Sequence, residues 1–265
     1  MADGAVRVGI GGWSFPPWRG TFYPEGLAQK RELEFASRAL TAIEINATYH
    51  GSQKPASFAN WANTAPEGFV YAVKGSRYVT NRKVLGEAGE SMQRFLNQGI
   101  VELGEKLGPI LWQFMATKQF DPEDFAAFLQ LLPGAHEGVA LRHAVQVRHE
   151  SFAVPEFVAL ARAAGVAIVF ADSTSYPAIA DVTADFVYAR LEAAEEAEPQ
   201  GYAPAALDRW AQAARTWASG GVPDGLPYAE ATPPPARPRD TFVFCINGAK
   251  VRAPAAAQAL IARLG

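Results

Sequence analysis

The sequence predicts a single (β/α)8 barrel spanning residues 1–265, and three observations carry that prediction: its length, its alternation of strand and helix patterns, and its helix punctuation. One such barrel needs ~250 residues as a folding unit, close to the 265 present. Eight strand-length segments rich in β-branched and aromatic residues recur, and helical patterns separate most of them. Alternating βα units imply a parallel sheet with right-handed crossovers, and this number of them favours closure over an open doubly wound sheet, the alternative.

In order, the segments are VRVGIGG from Val6, AIEINATYH from Ala42, FVYAVKG from Phe69, GPILWQF from Gly108, HAVQVRH from His143, VAIVFADS from Val166, FVYARLE from Phe186 and TFVFCING from Thr241. Between the third and fourth, Met92, Phe95, Leu96, Ile100, Leu103 and Leu107 repeat with the period of a helix. Asp121-Pro122-Glu123-Asp124 offers an N-cap, a first-turn proline and acidic residues, and Pro155, Pro204 and Pro254 open later helices in the same way. From Ser173 to Asp185 prolines and turn residues leave room for only a short or irregular sixth helix. The Pro- and Gly-rich stretch from Gly220 to Asp240 reads as a loop entering the last strand, on the face of the barrel that serves stability.

Composition narrows the function classes. With 49% hydrophobic and 19% charged residues the chain has ample apolar surface to bury. A net charge of -3 argues against a protein that coats nucleic acid, while leaving room for a local basic patch. Cys245 is the only cysteine, so no intrachain disulfide forms and a reducing compartment is expected. The start MADGAVRVG lacks a secretory pattern and no stretch approaches the ~20 apolar residues of a membrane span, so the expected location is the cytoplasm. No feature indicates a membrane or a protein partner.

Side chains alternate along a strand, and in AIEINATYH this predicts Glu44, Asn46 and Thr48 toward the lumen. The same phasing predicts Lys74, Gln113, Gln146, Arg148, Asp172, Arg190 and Asn247 inward on the following strands. A lumen held together by packing alone is filled with Val, Ile and Leu, so a polar ring at the carboxyl ends points to a ligand site. The alternative is a network in which Glu44 and Asp172 neutralise Lys74, Arg148 or Arg190. Lys74, Arg148 and Arg190 against Glu44 and Asp172 leave one positive charge in excess, and Arg77, His149 and Lys250 lie just beyond. An anionic ligand is therefore expected, with Arg148 and Arg190 shaped to grip phosphate or carboxylate. Glu44 is the first candidate general acid or base, Asp172 the second, and His149 a proton shuttle or a structural hydrogen-bonding group.

Trp13, Phe15, Trp18, Tyr49 and Tyr78 crowd the same rim; Trp13 and Tyr49 are candidates to stack a base or sugar, whereas Phe15 and Trp18 read as a lid over the core. Lys74, Arg77, Arg82 and Lys83 around Tyr78 form either a phosphate-tracking loop or a solvated one. No histidine pair has zinc spacing, so no metal site is assigned; a single Mg²⁺ or Mn²⁺ on Glu44, Asp172 and Glu192 is compatible with the residues but not indicated by them. Cys245 phases into the lumen as core packing, and GIGG is explained by close packing as well as by a phosphate loop.

The stretches GGWSFPPWRGTFYPEGL, LTAIEINATYHG, YAVKGSRYVTNRK, KLGPILWQF, VQVRHESF, TADFVYARLE and FCINGAKVRAPAAAQAL together resemble the YecE-like family, domain of unknown function 72. The resemblance covers nearly the whole chain and implies a (β/α)8 barrel without an assigned activity. It also implies that Glu44, Asn46, Lys74, Arg77, Gln113, Arg148, His149, Asp172 and Arg190 are the family's recurring polar positions. The chain departs from the family pattern at Pro17 and Asn81, where histidine is usual, at Gln146, usually acidic, and at Phe152, usually tryptophan. Three functions stay open: an enzyme, a hydrolase or isomerase, acting on a nucleic acid, nucleotide or sugar phosphate; a non-catalytic polyanion-binding module; and a carbohydrate hydrolase using Glu44 and Asp172 as paired carboxylates.

Overall fold

The computed structural model describes residues 3–246 and 248–265; Asn247 lies outside the described residues. Its centre is a closed barrel of eight parallel strands: β1 (Val6–Gly11), β2 (Ala42–Ile45), β3 (Val70–Lys74), β4 (Leu107–Gln113), β5 (His143–Gln146), β6 (Ala167–Asp172), β7 (Phe186–Leu191) and β8 (Asp240–Cys245). Each strand pairs with its sequence neighbours, and β8 closes on β1 with Val6 beside Thr241 and Ile10 beside Cys245. A two-stranded hairpin, Ala135–His136 with Val139–Ala140, sits outside the barrel before β5.

The helices are α1 (Glu32–Ala39), α2 (Pro55–Thr64), α3 (Gly89–Leu96), α4 (Pro122–Gln130), α5 (Pro155–Ala163), α6 (Pro204–Ala218) and α7 (Ala253–Leu264). Asp121 caps α4 as its composition predicts, its carboxylate accepting from the Glu123 and Asp124 amides at 3.1 Å each. Where a short sixth helix is expected, the described chain from Ser173 to Asp185 has none. Instead Asp181 accepts backbone amides from Ala229 and Glu230, and Thr183 bonds the backbone of β6, so this crossover is held by side-chain bonds to loops. None of the described helices is long and apolar enough to cross a membrane.

Two apolar layers flank the strands. The lumen is filled by Ala42, Val70, Ala72, Leu111, Ala144, Val169, Phe186, Tyr188, Phe242 and Phe244, and the outer faces pack Val8, Ile43, Val73, Trp112, Val145, Phe170 and Val243 against the helices. β1 meets β2 without an inward side chain: a Cβ on Gly9 would stand 2.0 Å from the Ala42 carbonyl oxygen. Close backbone packing therefore accounts for Gly9, whereas Gly12 takes a φ of +70° that side chains rarely adopt.

Candidate functional site

Above the apolar layers, polar side chains close the lumen. Glu44 and Arg190, 0% and 2% exposed, form a two-pronged ion pair: Arg190 Nη2 donates to Glu44 Oε1 at 3.1 Å and Nε to Oε2 at 3.2 Å. Tyr188 donates its hydroxyl to Glu44 Oε2 at 2.7 Å. On its other side Arg190 Nη1 donates to Gln146 Oε1 at 2.6 Å and to Glu192 Oε1 at 2.7 Å. Gln113 Nε2 donates to Gln146 Oε1 at 2.7 Å, and Gln146 Nε2 to Glu192 Oε1 at 3.1 Å. Burial works against the guanidinium charge, but Glu44 and Glu192 more than offset it and hold the Arg190 pKa above its ordinary value. Such a network is stable because each buried charge has a partner.

Directly above lies a cavity of about 720 Å³ at the carboxyl ends of the strands, bordered by Trp13, Asn46, Lys74, Gln113, Arg148, Arg190 and Lys250. Three of its cations differ from Arg190: among the described residues, the side chains of Lys74, Arg148 and Lys250 make neither hydrogen bond nor ion pair. Each rests on an aromatic face instead, Lys74 Nζ 4.5 Å from the Tyr49 centroid, the Arg148 guanidinium 4.5 Å from Tyr176, and Lys250 Nζ 4.6 Å from Phe15. Arg148 Nε is buried without a partner among the described residues. Burial, reinforced by Arg190 and Arg148 and opposed by Glu44 and Glu192, brings the Lys74 pKa down to about 8. Burial also lowers the pKa of Arg148, opposed by Glu192 and reinforced by Arg190, and burial lowers that of Lys250.

Local structure explains these placements. Glu32 at the start of α1 accepts from Ser14 Oγ at 2.7 Å and Arg19 Nε at 2.9 Å, pinning the β1–α1 loop that carries Trp13 over the mouth. Trp18 is buried, edge-on to Phe15, Phe22 and Tyr23, as a lid residue should be, and its indole donates to the Lys250 carbonyl at 3.0 Å.

Several expected site residues fall elsewhere. Asp172 follows Phe170 on the outer face of β6: Phe170 packs on Trp210 and Trp217 of α6, while Val169 fills the lumen. The Asp172 carboxyl accepts from Tyr202, and burial raises its pKa. It is therefore not a lumen acid or base, the Glu44–Asp172 pair for glycoside chemistry does not form, and the Glu44, Asp172 and Glu192 metal set is divided between two faces. Among the described residues no cluster of three or more His, Cys, Asp or Glu is arranged to hold a metal ion. Glu44 itself, expected as a free general acid or base, has both oxygens committed to Arg190 and Tyr188. Cys245 belongs to the helix-facing core rather than the lumen, and burial pushes its thiol up to about 12.

Thr48 leaves the ring because β2 ends at Ile45 and the chain turns into a single helical turn, Ala47–His50, which ends the alternation. Its hydroxyl donates to the Lys74 carbonyl at 2.6 Å. His149 Nδ1 accepts from the Ser151 amide at 3.2 Å and caps the Glu150–Phe152 turn, away from the cavity lining. Tyr49 underlies Lys74 and donates weakly to Asn81 at 3.4 Å. Arg77 borders a neighbouring cavity of about 750 Å³ with Tyr78, Arg82 and Arg94. Sequence phasing overlooked Tyr188, Tyr176 and His50. Tyr188 lies two residues before Arg190 and was available to the same alternation; Tyr176 and His50 stand on a loop and a helical turn, where no period applies.

A closed parallel barrel with its polar cavity at the strands' carboxyl ends defines a TIM-barrel protein. Residues 7–265 match the model of a family described as protein of unknown function DUF72, and the chain belongs to that family. Similar solved structures include a DUF72 family protein from Thermotoga maritima, with 24% identity, 97% of each chain covered and a TM-score of 0.71. One from Enterococcus faecalis has 16% identity, 98% of this chain and 95% of that one covered, and a TM-score of 0.70. A structure described as SacUVDE has 11% identity, 97% of this chain and 98% of that one covered, and a TM-score of 0.56. At these identities the likeness speaks to the fold. The comparison with curated proteins gave no match.

Proposed function

We propose that the cavity binds a small phosphate-bearing ligand, held by Arg148, Lys74 and Lys250. The observation that carries this is the contrast within one site between Arg190, ion-paired to both Glu44 and Glu192, and these three cations, which among the described residues lie over aromatic rings and make no hydrogen bond or ion pair. A cation held partly out of water without a carboxylate is costly, and a bound anion relieves that cost. Asn46 and Gln113 supply neutral polar contacts, Trp13 an apolar wall, and about 720 Å³ suits a nucleotide or sugar phosphate. Glu44 and Glu192 act as positioning residues that fix Arg190 at the cavity floor.

A nucleic-acid strand is the alternative ligand, favoured by the adjoining cavity with Arg77, Arg82 and Arg94 and by Tyr78, 59% exposed beside it. A thermal-shift screen of nucleotides, phosphosugars, short oligonucleotides and divalent ions separates the two. Stabilisation by small phosphates, abolished in Arg148→Ala and kept in Arg77→Ala, is expected. Stabilisation by oligonucleotides alone, weakened by both variants, favours the strand, and indifference of the parent protein to every anion removes both.

A further inference from the structure

We propose that Lys74 is a nucleophilic lysine that forms an imine with the carbonyl carbon of a small phosphorylated aldehyde or ketone. This rests on the anion-binding role of the same cavity: Arg148 and Lys250 hold the phosphate, and Lys74, an anion contact while it is an ammonium, meets the carbonyl as the neutral amine. The geometry is that of a presented amine. Lys74 ends β3, borders the cavity, and lies with Nζ over the Tyr49 ring, in no hydrogen bond or ion pair among the described residues.

Its backbone position is fixed on both sides. The Lys74 carbonyl accepts from Thr48, and the next residue has to be glycine, because a Cβ on Gly75 would lie 2.2 Å from the Trp112 ring. The charged groups around the amine come from three strands or their ends. Glu44 on β2 and Glu192 after β7 favour the ammonium form; Arg190 on β7 and Arg148 after β5 oppose it, as does burial, the largest influence. The balance leaves a pKa of about 8, so the nucleophilic neutral amine is abundant under mild conditions.

The reaction balances without an oxidant. Nζ adds to the carbonyl carbon as the C=O π pair moves to oxygen. The carbinolamine then loses that oxygen as water, which carries the two hydrogens nitrogen sheds, and a C=N bond remains.

The test is reductive trapping. The full chain is incubated with glyceraldehyde 3-phosphate or glyceraldehyde and cyanoborohydride, and each lysine's adduct is followed by peptide mass mapping. Exposed Lys30, Lys54 and Lys83 serve as internal comparators. At pH 8 a lysine with a pKa of about 8 carries roughly a hundredfold more neutral amine than one at the ordinary value, so Lys74 is expected to label at least about tenfold faster than the comparators. Its rate should rise with a midpoint near pH 8, the adduct should be absent from Lys74→Arg, and the preference for the phosphorylated aldehyde should shrink in Arg148→Ala.

Labelling of Lys74 no faster than of the exposed lysines overturns the proposal. If phosphate still stabilises the protein through Arg148 in that case, the anion site stands and only the imine chemistry falls. Equal trapping of both aldehydes, indifferent to Arg148→Ala, overturns the phosphorylated substrate class while leaving a reactive lysine.

Discussion

At the amino end of the barrel Arg142 pairs with Asp240 at 3.0 Å, Arg239 donates to the Gly220 and Pro235 carbonyls at 2.9 and 2.6 Å, and Arg7 donates to the Gly68 carbonyl at 2.6 Å. At the carboxyl end Lys74, Arg148 and Lys250 lie, among the described residues, over aromatic faces and make no hydrogen bond or ion pair. Residue type alone therefore does not separate a structural arginine from a ligand-holding one. What separates them is whether the fold supplies an acceptor.

The sharpest way to break this contrast is inside the mouth. Glu44→Ala leaves Arg190 with Glu192 and Gln146 on one side but its Nε and Nη2 groups unmet in the lumen, and should cost about 1–3 kcal/mol of stability, the penalty of buried donors that lose their acceptor. Urea unfolding checks it, with Arg142→Ala as the amino-end counterpart. The partly exposed Arg142–Asp240 pair should be worth only about 0–1 kcal/mol. Equal losses in the two variants would show that the Glu44 network is no more essential than a surface pair.

Arg148→Ala should leave stability unchanged or slightly raised while lowering phosphate affinity about 10- to 100-fold, the value of one or two charge-assisted hydrogen bonds. Calorimetric titration reads the affinity.

Protonation adds a third, smaller effect. Lys74 attracts an anion only as an ammonium, so affinity should fall as pH rises through about 8. Without ligand, the folded pKa lies below the unfolded one, so the unfolded chain holds the extra proton between these values, and stability should rise with pH across that window. Affinity unchanged from pH 7 to 9.5 would remove Lys74 from the binding groups.

The smallest expected effect belongs to the amino end. Buried His143 accepts from the Trp112 indole at 3.1 Å and bonds the Pro133 carbonyl at 2.8 Å, a pairing met by one neutral tautomer. Burial lowers its pKa, so the unfolded chain takes up the proton first, and stability should fall as pH drops below about 6.5. His143→Gln should flatten that slope in acid-dependent melting curves.

The barrel was legible in the sequence because alternation and helix punctuation agree along the chain. Alternation placed Glu44, Lys74 and Arg190 correctly, because each shares its parity with the lumen residues Ala42, Ala72 and Tyr188 of its own strand. On β6 the polar residue falls on the other parity. In AIVFAD nothing in the alternation tells lumen from helix side, and Asp172 was phased inward only because it is polar. Cys245 in TFVFC failed for the same reason. Thr48 failed because the strand had already ended, and past that point local capping, not a two-residue period, aims the side chain, as it does for His149, which takes the structural hydrogen-bonding role of its two expected ones.

Melting temperature in rising inorganic phosphate, at ionic strength held constant with chloride, tests the central claim most directly when the parent, Arg148→Ala and Arg142→Ala are run together. Phosphate should stabilise the parent and Arg142→Ala alike, and Arg148→Ala should need about 10- to 100-fold more of it for the same rise. The same rise in all three proteins would contradict an anion site at the carboxyl end of the barrel.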